Sequence, residues 1–237
     1  MTDLFDPLPA APAVRRRENT RSRLVRASLA VFVDKGIDGA TIDDLVTAAG
    51  FTRGAFYSSF SSKEEVFGAL FEVVTDEVIQ IIRATVDEAL AAHGTTASTT
   101  LAAADPAMMV GVFEAIRPYG RQWYLLYSEA VARALRAPEG LEGIDTQRHR
   151  LRDAIADALR RGMEAKGERC AIAPEQLAQT LIGVFSDFMM QEHLDGADIT
   201  DLAGETILRI MRAFIGPPPE SAPPPEPAPR SEPLAAA

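Results

Sequence analysis

"TIDDLVTAAGFTRGAFYSSFSSKEE" occupies residues 41–65. Thr41 is followed three residues later by Asp44, the spacing of a capping box with Asp in place of the usual Glu or Gln. A helix therefore starts at Thr41, with Ile42, Leu45 and Val46 as its apolar side, and closes at "AAG" (48–50). Thr52 caps a second short helix that runs to about Ser59. Gly50, between the two, can take the left-handed backbone of a tight turn. Two short helices across a glycine turn of about four residues make a helix-turn-helix, whose second helix enters the major groove of DNA with its N-terminal residues nearest the bases.

The second of these helices carries a contradiction. Gly54 lies inside its first turn, where glycine costs up to ~1 kcal/mol relative to alanine. Phe51, just before the cap, and Phe56 form a candidate hydrophobic staple. Phe56 and Phe60 would hold the helix to a small core. Gly54 and Ser58 share another face and are small enough for close approach. Tyr57 falls at the rim between the faces, where a phenol can reach a phosphate. Thr41 and Lys63 stand at the starts of the flanking helices, whose free N–H groups favour phosphate. The other reading is a plain three-helix core with Tyr57 buried.

Outward from this stretch the pattern stays helical. Upstream, Leu24, Ala27, Val31 and Phe32 lie on one side of a helix from about Thr20 to Lys35, ended by Gly36. Downstream, Ser61 and Glu64 form a second capping-box signal. It opens a long helix in which Val66, Phe67, Leu70, Phe71, Val74, Val78, Ile81, Ile82 and Val86 recur to about Ala92. "HGTTASTT" (93–100) reads as a loop, and Asp105–Pro106 as a cap followed by a first-turn proline. Further helices are expected near 106–116, 121–136, 145–166, 174–192 and 198–214, separated by "RPYG", "APEGLEG", "KGERCAIAP" and "LDGAD". With strand-type alternation scarce, the fold class is all-α. Residues 1–14 hold three prolines, and residues 216–237 hold nine prolines in 22 positions, so both ends read as loose tails.

The chain has 237 residues and a net charge of −10. The charge is uneven. Residues 15–63 contain nine Lys/Arg and five Asp/Glu, a local +4, and the rest carries −14. A basic head on an acidic body points to a polyanion facing the head alone. The single cysteine, Cys170, excludes an internal disulfide and a multi-cysteine metal site. No apolar run has the ~20 residues of a membrane span, and no signal-peptide core opens the chain. A soluble cytoplasmic protein without cofactor or metal is expected.

Over residues 20–71 the sequence resembles the N-terminal DNA-binding domain of TetR-family transcriptional regulators. The landmarks "AVFVDKG", "TIDDLVTAAG", "TRGAFYSSF" and "SKEE" follow in order without gaps. The resemblance implies an all-α homodimer, often a repressor, with a small-molecule pocket in its C-terminal body. It divides the chain into a head at 15–62 and an effector-binding and dimerisation body at 63–215. It places DNA contact at Thr41, Thr52, Arg53, Gly54, Tyr57, Ser58, Ser59 and Lys63, and core packing at Phe56 and Phe60. Positions 58 and 59, often larger aromatic or imidazole residues in that family, are both serine here. Phosphate grip then shifts toward Tyr57, Lys63 and the arginines at 15–17, 21 and 23. Arg53 either reads a guanine bidentately or holds a phosphate.

Beyond residue 75 only the layout is similar. The last two helices carry Leu181, Phe185, Phe188 and Met189, then Ile207, Ile210 and Phe214. Such a pair is either an internal core or, from two subunits, a four-helix bundle; the resemblance favours the dimer and hence a palindromic operator. Pocket candidates are Met109, Phe113, Trp123, Tyr124, Tyr127 and Phe185, with Met108 and His149 beside them, although aromatic and methionine residues at helical spacing are also what cores use. A bound effector would favour a head spacing unfit for DNA, with the long helix as lever. Enzyme chemistry finds little support: His93, His149 and His193 are dispersed, and no HExxH, GxSxG, Walker or GxGxxG pattern appears. A helical adaptor acting through the proline-rich tail is the third class.

Overall fold

The computed structural model describes residues 17–95, 106–136 and 143–217. The expected tail at 1–14, the Asp105 cap, most of the break at 137–143 and the proline-rich end from 218 onward lie outside the described residues, as do Arg15 and Arg16; of the loop expected at 93–100, residues 93–95 continue the preceding helix and the rest lies outside.

The element order is α1 (Arg17–Gly39), α2 (Ile42–Ala49), α3 (Arg53–Tyr57), α4 (Lys63–Thr95), α5 (Pro106–Ile116), α6 (Gly120–Arg136), α7 (Ile144–Lys166), α8 (Pro174–Asp195) and α9 (Thr200–Phe214). A 3-10 turn, Arg117–Tyr119, joins α5 to α6. The all-α expectation holds, with one addition. Strands β1 (Arg169–Cys170) and β2 (Ile215–Gly216) pair antiparallel, Arg169 opposite Gly216. Gly216, expected in the loose tail, is therefore tied down. Two-residue strands leave no alternation to read.

Local chemistry explains the helix ends. Gly36 adopts φ 65° and ψ 172° and breaks α1 where the sequence predicts. Gly50 caps α2 at φ 69° and ψ 35°, with its N–H donated to Val46 and Thr47 carbonyls. The start of α4 differs from expectation by one residue. Ser62 Oγ accepts from Glu65 N (3.1 Å), and Glu65 in turn accepts from Ser61 N (2.8 Å). The expected partner, Glu64, instead approaches Arg133 of α6 (3.6 Å). Consecutive serines and consecutive glutamates offer two registers of the same cap, and the ion pair to α6 is invisible in the local sequence.

One hydrophobic core runs from Leu24 to Ile215. α1 packs on α2 and on α4, where Phe32 meets Phe67 edge-to-face at 5.4 Å. The first turns of α4 thus belong physically to the head, and its remainder packs on α5 and α7. α7 supports α8, α5 supports α9, and α6 lies against α8 while reaching back to α1.

Candidate nucleic-acid interface and body cavity

α3 is five residues long, too short to persist without support. Thr52 caps it, with its Oγ1 accepting from Ala55 N (3.3 Å). Phe56 is fully buried and Phe60 nearly so, their rings 6.1 Å apart. Arg21 of α1 closes over Phe60, its guanidinium 4.1 Å from the ring centre, and donates to the Ser59 carbonyl (3.0 Å). Arg23 donates to the Ala49 carbonyl (3.4 Å) and lies 5.2 Å from the Phe51 ring. These two arginines, expected from the sequence to grip phosphate, brace the segments on either side of α3: Arg23 the turn before it and Arg21 the Phe60 anchor after it.

With its inner side so anchored, α3 presents Thr52, Arg53, Gly54, Tyr57 and Ser58 to solvent. Tyr57 is 59% exposed, which excludes the buried-core alternative. A Cβ added at Gly54 would have only Thr52 Oγ1 nearby, at 3.8 Å, so nothing inside the fold demands glycine there. Ser58 Oγ donates back to the Ala55 carbonyl (2.8 Å). Ser59 departs from its expected role: its hydroxyl oxygen is buried and has no partner among the described residues. Two residues along from Tyr57, the chain turns toward the Phe60 anchor and carries Ser59 inward.

Arg53 rests on Asp43 of α2 in a two-pronged pair, Nε to Oδ1 and Nη2 to Oδ2, both 2.5 Å. The hydrogen bond from Arg53 holds the Asp43 carboxyl below the usual range, and the same bond raises Arg53. The guanidinium is aligned beside the exposed face of α3 by a carboxylate that sequence reading passed over. Thr41 Oγ1 accepts from Asp44 N (3.2 Å) and Thr41 N donates to Asp44 Oδ2 (2.9 Å), completing the capping box. Lys35 also reaches Asp44 (2.6 Å); with the Thr41 bonds it lowers that carboxyl to about 2. Lys63 Nζ donates to the carbonyls of Asp38 (3.1 Å) and Ala40 (2.9 Å), so its charge sits at the α1–α2 junction.

In the body, a cavity encloses about 60 Å³ of free space within an envelope of about 570 Å³ that includes its mouth. Of the expected pocket residues, Met109, Phe113, Trp123 and Phe185 line it. Tyr127 stands behind the wall, stacked on Trp123 at 4.8 Å, and Tyr124 is not part of the lining. Met108 faces Gly162, and His149 is an exposed neighbour of Asp145 (3.4 Å). Sequence reading missed Val112, Ile155 and Ile182 in the wall; aliphatic residues on a core-facing stripe carry no mark that separates cavity from packed interior.

The expected dimer set divides. Leu181, Phe188, Met189 and Ile207 are buried within the subunit, so they are core residues. Phe188 meets Phe113 edge-to-face at 5.9 Å, and Met189 fills the space above Gly120. Phe185, Ile210 and Phe214 are half-buried. The outward apolar residues of this region are Met190, Leu194 and Leu202, at 37%, 77% and 51% exposure. No described helix is long and apolar enough to cross a membrane.

Residues 24–70 match the family model described as bacterial regulatory proteins, tetR family. Over 53 residues the chain is 47% identical to the HTH-type transcriptional regulator SrpR of Pseudomonas putida, covering 22% of this chain and 25% of that protein. Similarity to the HTH-type transcriptional repressor DhaR of Mycobacterium sp. is 30% over 73 residues, covering 31% and 37% of the two chains. To the HTH-type transcriptional activator FasR of Mycolicibacterium smegmatis it is 33% over 67 residues, covering 28% and 31%. The chain thus spans between a quarter and two fifths of the length of these relatives. A TetR-family transcriptional regulator from Cytophaga hutchinsonii has a similar fold, with TM-score 0.65 and 16% identity over 86% of this chain and 98% of that one. The reduced form of E. coli NemR is alike at TM-score 0.64 and 17% identity, over 85% and 99%.

Proposed function

We propose that this chain, which carries the helix-turn-helix head of the TetR family on a fold of that family, is a sequence-specific DNA-binding transcriptional regulator. It acts in the cytoplasm as a homodimer on a palindromic operator. In this reading it is a repressor, released by a small molecule held in the body cavity. The observation that carries this reading is the outward face of α3. Thr52, Arg53, Gly54, Tyr57 and Ser58 are exposed together on a helix whose inner side is locked by Phe56, Phe60 and Arg21. A five-residue helix that spends two buried phenylalanines and a capping threonine to hold a glycine and a tyrosine in solvent is built to meet a surface.

In this reading Arg53 moves from Asp43 to a base edge or a phosphate, Tyr57 meets a phosphate, and Gly54 lets the backbone approach. Thr41, Ser58 and Lys63 contribute from the flanks, with Lys63 at the α1–α2 junction. α4 is the lever, because its first turns lie under the head and Val78 and Ile82 line the cavity. The ligand shifts the population by binding the non-DNA arrangement better.

The test is binding to the promoter DNA flanking its own gene across several salt concentrations. Specific binding whose log affinity falls linearly with log salt is expected, with Arg53→Ala losing specificity. Absence of a specific complex at every salt concentration overturns the proposal.

A further inference from the structure

The body cavity is walled by every helix from α4 to α9, and each lining side chain is aliphatic, aromatic or methionine. Among these residue types the Trp123 indole N–H is the one conventional donor. Phe185 meets Phe113 (5.5 Å, 75°) and Trp123 (5.5 Å, 72°) edge-to-face, so three rings share one side. Arg117, next in sequence to the lining Ile116, is engaged elsewhere: it binds Glu192 through Nε and Nη2 and also reaches Thr200.

An ionised ligand group entering this wall would shed its water and find no counter-charge among the lining residues. A ring loses nothing comparable and gains edge-to-face partners. The acidic surplus of the chain does not alter this, because none of the lining residues is acidic. Resting on the reading of the cavity as the effector site, we propose that its ligand is an uncharged, predominantly apolar compound bearing at least one ring, seated against Phe113, Trp123 and Phe185. The enclosed space of about 60 Å³ is small for such a ring, so a wall residue must yield. Phe185 is the half-buried member of the three, and it yields. Val78 and Ile82 place the ligand directly against α4, roughly 22 to 29 Å of helix rise from Lys63.

Trp123 is the only tryptophan in the chain, so its emission reports the site. The full-length protein is titrated, without DNA, with propylbenzene, 3-phenylpropanoate and 3-phenylpropylammonium, excited at a wavelength where only tryptophan absorbs. Propylbenzene is expected to shift the emission saturably and to bind at least ten times more tightly than either ion. Ile155→Phe, which fills the cavity from α7, should weaken propylbenzene at least tenfold; Val112→Phe serves if the first variant melts. Equal or tighter binding of either ion overturns the assignment, as does propylbenzene binding unmoved by both variants, or no saturable shift with any probe. Propylbenzene binding beside failed promoter binding leaves the ligand class of the cavity standing and fells the regulator reading, and with it the name effector, instead.

Discussion

Gly54 has open surface where its side chain would be, and alanine would fit with a single ordinary contact at 3.8 Å. Replacing it removes the conformational freedom that glycine loses on folding, so Gly54→Ala should raise the thermal midpoint, by an amount equivalent to up to ~1 kcal/mol. The same substitution should weaken promoter binding at least tenfold, because a methyl group then stands between backbone and DNA. Paired melting and anisotropy measurements check this, and a variant both stabler and fully active would remove the functional reason for the glycine. Asp44 offers a pH test. Its folded carboxyl is lowered to about 2, first by Lys35 and then by Thr41. A depressed carboxylate stabilises the fold above its unfolded value near ~3.9 and loses that contribution as pH falls toward about 2. The thermal midpoint of the wild type should therefore drop more steeply between pH ~4 and ~2 than that of Asp44→Asn, which lacks the titrating group. Residue roles set by neighbours close in sequence, such as Thr41, Thr52 and Gly50, were legible from the sequence. Those set by distant partners were not: Arg21 on Phe60 and Arg53 on Asp43.

Elements were legible where their ends carry local chemistry. Pro106, Pro174, Gly36 and Gly50 mark boundaries through backbone restrictions that act on a residue and its immediate neighbours. The α4 cap slipped by one residue because Ser61–Ser62 and Glu64–Glu65 permit both registers. What joins elements is less visible. Gly120 opens α6 where the buried Met189 side chain of α8 lies so close that an added Cβ would stand 1.9 Å from its Sδ. Gly120→Ala should therefore destabilise the protein by ~1–3 kcal/mol through overpacking, and a second change, Met189→Ala, should cost less in that background than in the wild type. Denaturant unfolding of the four proteins of this double-mutant cycle measures the coupling; strict additivity would mean that α6 and α8 do not press on each other.

At the scale of the molecule, α4 and α6 both join head to body among the described residues. α4 runs through both, and Arg133 of α6 bonds Asp38 at the end of α1 (2.5 Å) while approaching Glu64 (3.6 Å). Trp123 of the cavity wall lies on the same helix as Arg133, so α6 touches both the cavity and the end of α1. Assembly belongs to this scale too. The apolar residues left outside on α8 and α9 are Met190, Leu194 and Leu202, and a twofold bundle of these helices would cover them. Leu194→Glu combined with Leu202→Glu should yield a folded monomer by sedimentation, with promoter affinity reduced at least a hundredfold because one head reads only one half-site. A dimer surviving both changes would locate the interface elsewhere. By itself the sequence determined the helical class, the helix-turn-helix and the faces of α3, since caps, turns and a short amphipathic period act within a few residues. Only the tertiary structure decided which apolar residues of α8 and α9 are core, which line the cavity and which face outward. These helices carry apolar residues on more than one side, and a side becomes interior only when another helix lies against it.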